Sequence, residues 1–430
     1  MSRFIVIVLD GYGIGAMDDV PALRPQDTRA NTARHIFEAV PKLRLPVLQS
    51  LGLGNAILAS EKAGGISKPL PANIEAASEC CCGFHRLAHF GADTFWGHQE
   101  LMGTRPLLGE SSPIMDKLPA IKQALEKAGH RVRYYHGPAG KETMEEAPRP
   151  GVLIVDEAAA VGDNLETDLG NNYNVTAALD IMPFDRVREI GAAVRSLVRS
   201  SRVIVFGGEG VGLEDILNAY ELHGSYAGIN APKSGVYRSG YQVVHLGYGI
   251  NPEVQVPARL SSAGVPSILI GKVADIVENE GGLLIPGVDT AEVLETTASM
   301  LAAFPRGFIC TNVQETDLAG HREDCGVYAE KLSLADRGIG KILGKLKPDD
   351  ILLVTADHGN DPVIGHAQHT REKTPILVYG ERILKGFIGE RKSLADTGRT
   401  VCDFFSAPAP EYGESYLEKI LKPGPAGPST

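Results

Sequence analysis

Short apolar runs punctuate the chain at Phe4 to Leu9, Val152 to Val155, Val203 to Phe206, Ser267 to Ile270, Phe308 to Cys310, Ile351 to Thr355 and Ile376 to Tyr379. Each is rich in branched residues and bounded by turn formers, the pattern of a buried strand. Helix-period stretches such as Ala291 to Phe304 and Tyr328 to Leu346 lie between them. Strands separated by helices are joined by crossovers, so the spacing predicts an α/β fold whose sheet is largely parallel and flanked by helices.

A chain of 430 residues exceeds a single typical domain. The Pro/Gly-rich linker that starts at Gly103 and a second Gly/Pro-rich passage, His245 to Pro257, bracket a segment with strands and helices of its own. This predicts a discontinuous core, residues 1–104 and 251–422, interrupted by a smaller α/β cap at 105–250. Residues 423–430, Pro423 to Thr430, read as a disordered tail.

The net charge of −11 argues against a nucleic-acid surface. No apolar stretch approaches membrane-spanning length, and the run ending at Leu9 is too short for a signal-peptide core. Three of the six cysteines, Cys80, Cys81 and Cys82, are adjacent and do not suit a disulfide framework. The cytoplasm is the simplest compartment. An acidic chain can still handle phosphate if metal ions supply the positive charge.

The chemistry is signalled at the carboxyl ends of three strands. Asp10 comes directly after the first; Asp317 and His321 come after the run at Phe308; Asp357 and His358 come after the run at Ile351, with His369 eleven residues later. Sites in open parallel sheets form beyond the carboxyl ends of strands, so these six side chains are expected to line one crevice. Three carboxylates so close would force one to hold a proton unless cations intervene. Mixed Asp/His donors suit zinc, manganese or iron, and six side chains suffice for two ions roughly 3.5–4 Å apart. Thr94, just ahead of the cap, is the candidate nucleophile, because metal coordination can activate its hydroxyl.

At these residues the sequence resembles the alkaline phosphatase superfamily, and within it the manganese-dependent phosphopentomutases. The matching stretches are Val8 to Ala16, Asp93-Thr94 with Gly97-His98 and Glu100, Gly271 to Ile276, Asp317 with Gly320-His321-Arg322, Thr355 to Pro362, and His369 to Glu372. The resemblance implies an alkaline-phosphatase-like core with one manganese held by Asp317, His321 and His369 and another by Asp10, Asp357 and His358. It also implies that Thr94 carries a phosphoryl group, that a bisphosphorylated sugar serves as intermediate and activator, and that the cap excludes water. The expected activity is a phosphomutase acting on a small phosphorylated sugar; the alternative is a two-metal phosphatase or phosphodiesterase of the same superfamily.

In the cap, the family's Ser and Asp near the sugar give way to Asp156-Glu157-Ala158-Ala159, and its Arg-Pro-Phe stretch to Val205 to Gly210. Replacement contacts to substrate could come from Lys233 and Arg238 in a Gly-rich loop; solvated surface positions would suit the same pair. Lys272, in the matched Gly271 stretch, is the remaining candidate for substrate binding.

Two other patterns are set aside. Gly11 to Ala16 satisfies the dinucleotide fingerprint, yet residues 20–45 contain no second strand ending in an acid. Cys80 to Cys82 with His85 and His89 lack any usual zinc spacing and read as small core residues.

Overall fold

The computed structural model describes residues 2–138, 149–166 and 169–422, so the tail expected at 423–430 lies outside the described residues. The described residues form two compact units: one from residues 2–106 with 251–422, the other from those between 107 and 250.

The larger unit is built on eight strands: β1 (Arg3–Leu9), β2 (Cys81–His85), β3 (Ser267–Ile270), β4 (Leu283–Ile285), β5 (Gly307–Val313), β6 (Ile351–Thr355), β7 (Thr374–Tyr379) and β8 (Gly386–Arg391). Their order across the sheet is β4-β3-β5-β1-β6-β7-β2-β8. The run from β4 to β6 is parallel throughout, and β7 is antiparallel to both neighbours. Strands β2, β4 and β8 were not among the apolar runs. Their sequences explain why: β2 is Cys-Cys-Gly-Phe-His, and β4 and β8 are largely exposed edge segments.

Every residue of β1 is buried, as expected for a central strand covered on both faces. Alternate side chains serve different cores. Ile5, Ile7 and Leu9 join a cluster with the helices Thr32–Ala39, Leu53–Ala63 and Cys325–Leu343, whereas Phe4, Val6 and Val8 pack with the helices Val256–Ser262 and Ala395–Phe404. Truncating a side chain at such a position costs about 2–5 kcal/mol.

The register matters most for function. β1 pairs with β5 on one side (Leu9 opposite Val313) and with β6 on the other (Val8 opposite Thr355). Three parallel neighbours therefore end at one level, and the residues just beyond them emerge side by side.

The smaller unit holds a six-stranded mixed sheet with one parallel pair, Asn172–Ala178 with Arg202–Gly208, and the helices Leu118–Lys127 and Phe184–Leu197. Asp163 is buried there and accepts backbone N–H bonds from Ile114 and Ala227, both 2.9 Å. Burial nevertheless pushes its carboxyl up to about 6 from an ordinary 3.8. A folded-state value above the unfolded one means the group's stabilisation is complete below pH 3.8 and is lost as pH rises through 6. The unfolding free energy of wild type relative to Asp163→Asn is thus expected to grow by on the order of 2 kcal/mol between pH 7 and pH 4. Urea titrations at the two pH values check this; a difference that is flat with pH would remove Asp163 as its source.

Candidate metal centre

Two groups of side chains converge at the carboxyl ends of the central strands. Asp10, Asp357 and His358 form one and are all buried; Asp317, His321 and His369 form the other, with His321 exposed. Within each group the donor atoms lie within 4.8 Å of one another. Asp10 follows β1 directly, its N–H bonded to the Val313 carbonyl (3.2 Å), and Asp357-His358 follow β6. Asp317 and His321 are four residues apart on the Glu315–His321 helix that starts just after β5, so they share its face. His369 comes from the loop that leads into β7.

Each histidine has its Nδ1 beside a backbone carbonyl: His321 on Ala367 (2.7 Å), His358 on Gly359 (2.9 Å) and His369 on Ala92 (3.3 Å). A carbonyl only accepts, so Nδ1 carries the proton and Nε2 presents its lone pair inward, the tautomer of a metal-ligating histidine. The Nε2 atoms of His321 and His369 lie 3.0 Å apart, and each is about as close to a carboxylate oxygen of Asp317 (3.3 and 3.2 Å). The other group has the same character: His358 Nε2 is 3.4 Å from both Asp10 Oδ1 and Asp357 Oδ2, and Asp357 Oδ2 also has His98 Nδ1 at 3.3 Å. Acceptors facing acceptors at these separations repel, and a cation at their centre removes the repulsion. The donor sets fit divalent ions of the zinc, manganese and iron kind.

The proton affinities without metal carry the same message. Burial and then the Asp357 charge raise Asp10 above the ordinary carboxylate value. Burial opposes a charge on His358, but Asp357, Asp317 and Asp10 outweigh it and push the imidazole up to about 10. Asp317 stays well below the usual carboxylate range despite burial, because His369, His321 and His358 surround it. Negative charge accumulates here and asks for a positive counterpart.

Thr94 opens the Thr94–Leu101 helix, capped by the Asp93 carboxylate, which accepts from Trp96 N–H at 3.1 Å. Its hydroxyl is buried, 2.7 Å from His358 Nε2 and 3.4 Å from Asp10 Oδ1. The helix approaches so closely because position 97 is glycine: a Cβ there would lie 2.7 Å from the Asp357 carbonyl oxygen. Lys272 Nζ stands 4.0 Å from Asp10 Oδ2, which holds the ammonium charged against the cost of burial.

Lys233 and Arg238 lie at surface positions. Lys233 is exposed on the smaller unit and ion-paired with Glu221, and Arg238 is exposed as well. His85 and His89, set aside as zinc ligands, are buried on other partners, Thr397 and Glu100.

Three supporting residues escaped sequence reasoning. Asn312 Nδ2 lies 3.1 Å from both Asp10 Oδ2 and His98 Nε2; His98 Nδ1 in turn donates to the Thr94 carbonyl (2.9 Å); Asn360 Nδ2 donates to the Asp317 carboxylate (2.8 Å). His98 and Asn360 fall inside stretches that match the family, but no role was assigned to either, and Asn312 lies outside them. Composition and spacing alone do not mark an asparagine as a carboxylate-orienting partner. Asn360→Ala is expected to weaken metal retention at the Asp317 group about 10–100-fold, as loss of a ligand-orienting partner generally does. Competition with a chelator measures it, and unchanged retention would mean that Asn360 does not orient Asp317.

Carboxylate and imidazole sets beside a buried hydroxyl, at the strand ends of a largely parallel α/β sheet, define a metal-dependent enzyme. The metalloenzyme superfamily profile matches residues 2–409, and the chain belongs to that superfamily. Its relatives include the phosphopentomutase of Hahella chejuensis, 31% identical with 97% of this chain and 99% of the relative covered. The phosphopentomutase of Symbiobacterium thermophilum is 30% identical with 98% and 99% covered. The chain is thus a phosphopentomutase-like member, an enzyme of the phosphotransferring isomerase class. Among solved structures, phosphoglycerate mutase of Leishmania mexicana aligns over 98% of each chain at 12% identity and a TM-score of 0.45. No helix among the described residues is long and apolar enough to cross a membrane.

Proposed function

We propose that the protein is a cytoplasmic, manganese-dependent phosphomutase that moves a phosphoryl group between two hydroxyls of a small phosphorylated sugar through a phosphothreonine at Thr94. The observation that carries this reading is the Thr94 hydroxyl, buried and 2.7 Å from His358 Nε2 within one of the two ligand groups. Relatives named phosphopentomutase over essentially the full chain support the substrate class.

Asp317, His321 and His369 would hold one cation and Asp10, Asp357 and His358 the other. When bound, these ions supply charge neutralisation for phosphoryl oxygens and favour the ionised form of a nearby hydroxyl. The chain's own groups do the rest. In the resting cycle Thr94 Oγ1 bears the phosphoryl group and gives it to the free hydroxyl of the sugar phosphate: the Oγ1–P bond breaks, a sugar O–P bond forms, and the hydroxyl proton passes to the freed Thr94 Oγ1. The bisphosphate turns, and Thr94 Oγ1 takes back the other phosphoryl group while the freed sugar oxygen regains a proton. A bisphosphorylated sugar would prime the unmodified enzyme by the same second step. The Thr94–Leu101 helix begins at the nucleophile, so its N-terminal dipole favours an anion there. Lys272, beside Asp10, adds a cation for phosphoryl oxygens.

The test is a panel of sugar phosphates with manganese and a catalytic bisphosphate, following isomer formation and inorganic phosphate together. Isomer without stoichiometric phosphate is the expected result. Phosphate release without isomer would replace the mutase by a phosphatase, the outcome favoured if solvent reaching the exposed His321 also reaches the phosphoryl-enzyme.

A further inference from the structure

One cluster of reactive side chains belongs to none of this machinery. Cys80 and Cys82 flank the first residue of β2, and residues two apart in extended chain share a face. Cys81 points the other way: Cys82 joins the core cluster on one side of the sheet and Cys81 the cluster on the opposite side. The Cys80 and Cys82 sulfurs are 3.7 Å apart. Room for them exists because position 52 is a glycine with φ +103°; a Cβ there would lie 2.7 Å from Cys80 Sγ. The pair is not sealed in. Cys80 is half-buried, and both residues line a cavity of about 580 Å³ together with Lys62, Glu79, Lys385 and Phe387.

We infer that Cys80 and Cys82 form a two-thiolate site that chelates a thiophilic metal or metalloid ion entering from this cavity. The span decides between the two reactions open to a close thiol pair. A tetrahedral ion with metal–sulfur bonds of about 2.3 Å holds two sulfurs about 3.8 Å apart, so the observed 3.7 Å accepts one without rearrangement. A disulfide needs about 2.05 Å between sulfurs, and extended residues two apart, separated by about 6.6–6.8 Å at Cα, sit at the limit of what a disulfide bridges. Burial and the neighbouring Cys80 sulfur both raise the Cys82 thiol, so the two thiolates do not coexist without a cation. On binding a divalent ion two S–H bonds break, two metal–sulfur bonds form and two protons leave. Glu79 lines the same cavity and is the carboxylate available to a bound ion there.

Phenylarsine oxide is the direct probe, because it condenses with two thiols, forming two As–S bonds and releasing one water, while sparing oxygen and nitrogen ligand sets. The full-length, manganese-loaded protein is expected to take up one equivalent by intact mass, to keep it in excess glutathione and to lose it to dithiothreitol. Cys80→Ser, at the half-buried position, is expected to abolish the adduct, and Cys81→Ser to retain it. Titration with Cd²⁺ should likewise give a sulfur-to-cadmium absorption band in wild type that Cys80→Ser lacks. Absence of the arsenical adduct from wild type, its persistence in Cys80→Ser, or a cadmium band equal in both proteins would overturn the assignment.

Discussion

Thr94→Ala is expected to lower turnover by on the order of 10³-fold or more while leaving two metal ions per chain, the scale at which losing a covalent nucleophile is felt. The Thr94 hydroxyl lies against His358 and Asp10, and its backbone opens the helix under Asp93; alanine removes the first and keeps the second. Alanine is well tolerated in a helix, so the fold should be intact. Metal analysis, a melting curve and turnover assays on one preparation separate the roles. Turnover near the wild-type level would end the nucleophile assignment, and loss of metal would make Thr94 a ligand instead.

Asp10→Ala is expected to act on the metal first and on turnover as a consequence. Its carboxylate faces His358, Asn312 and Lys272 and completes the fully buried ligand group. Without it Asp357 and His358 remain, too few for a stable ion, while Asp317, His321 and His369 are untouched. Metal content should fall from two ions to about one per chain and turnover by on the order of 10³-fold, because in the proposed mechanism one side of the clamp on the phosphoryl group would be missing. Elemental analysis after dialysis tests the first statement, and two retained ions would contradict the grouping.

Much of this site is legible from residue order, for a physical reason. A parallel strand buried on both faces must be a short apolar run, so β1, β5 and β6 stand out, and a polar residue just after such a run sits at a sheet end. Asp10, Asp317 and Asp357 are in that position. Strands β2, β4 and β8 escaped because edge and near-edge strands are not bound to that pattern. For Lys233 the sequence left a phosphate contact and a solvated surface position open, and its exposure and Glu221 pairing have no local signature.

Cys80, Cys81 and Cys82 are instructive in the same way. Composition and spacing argued for small core residues, which holds for Cys81 and Cys82. The alternation of a strand, the glycine at position 52 and the flanking cavity turn Cys80 and Cys82 into a facing pair.

Residue order by itself determined the α/β class and the donor types, since burial and strand period act over a few residues. Apart from the family resemblance, only tertiary structure shows which candidate donors come together. Strand order puts β1 between β5 and β6, so Asp10 meets Asp357 and His358 from more than three hundred residues away, while Asp317 finds His369 across a loop. It also decided the imidazole tautomers and the asparagines that steady the carboxylates, through backbone carbonyls and amide hydrogens no side-chain pattern encodes. Local sequence dictates what a segment is; long-range pairing of strands dictates what it meets.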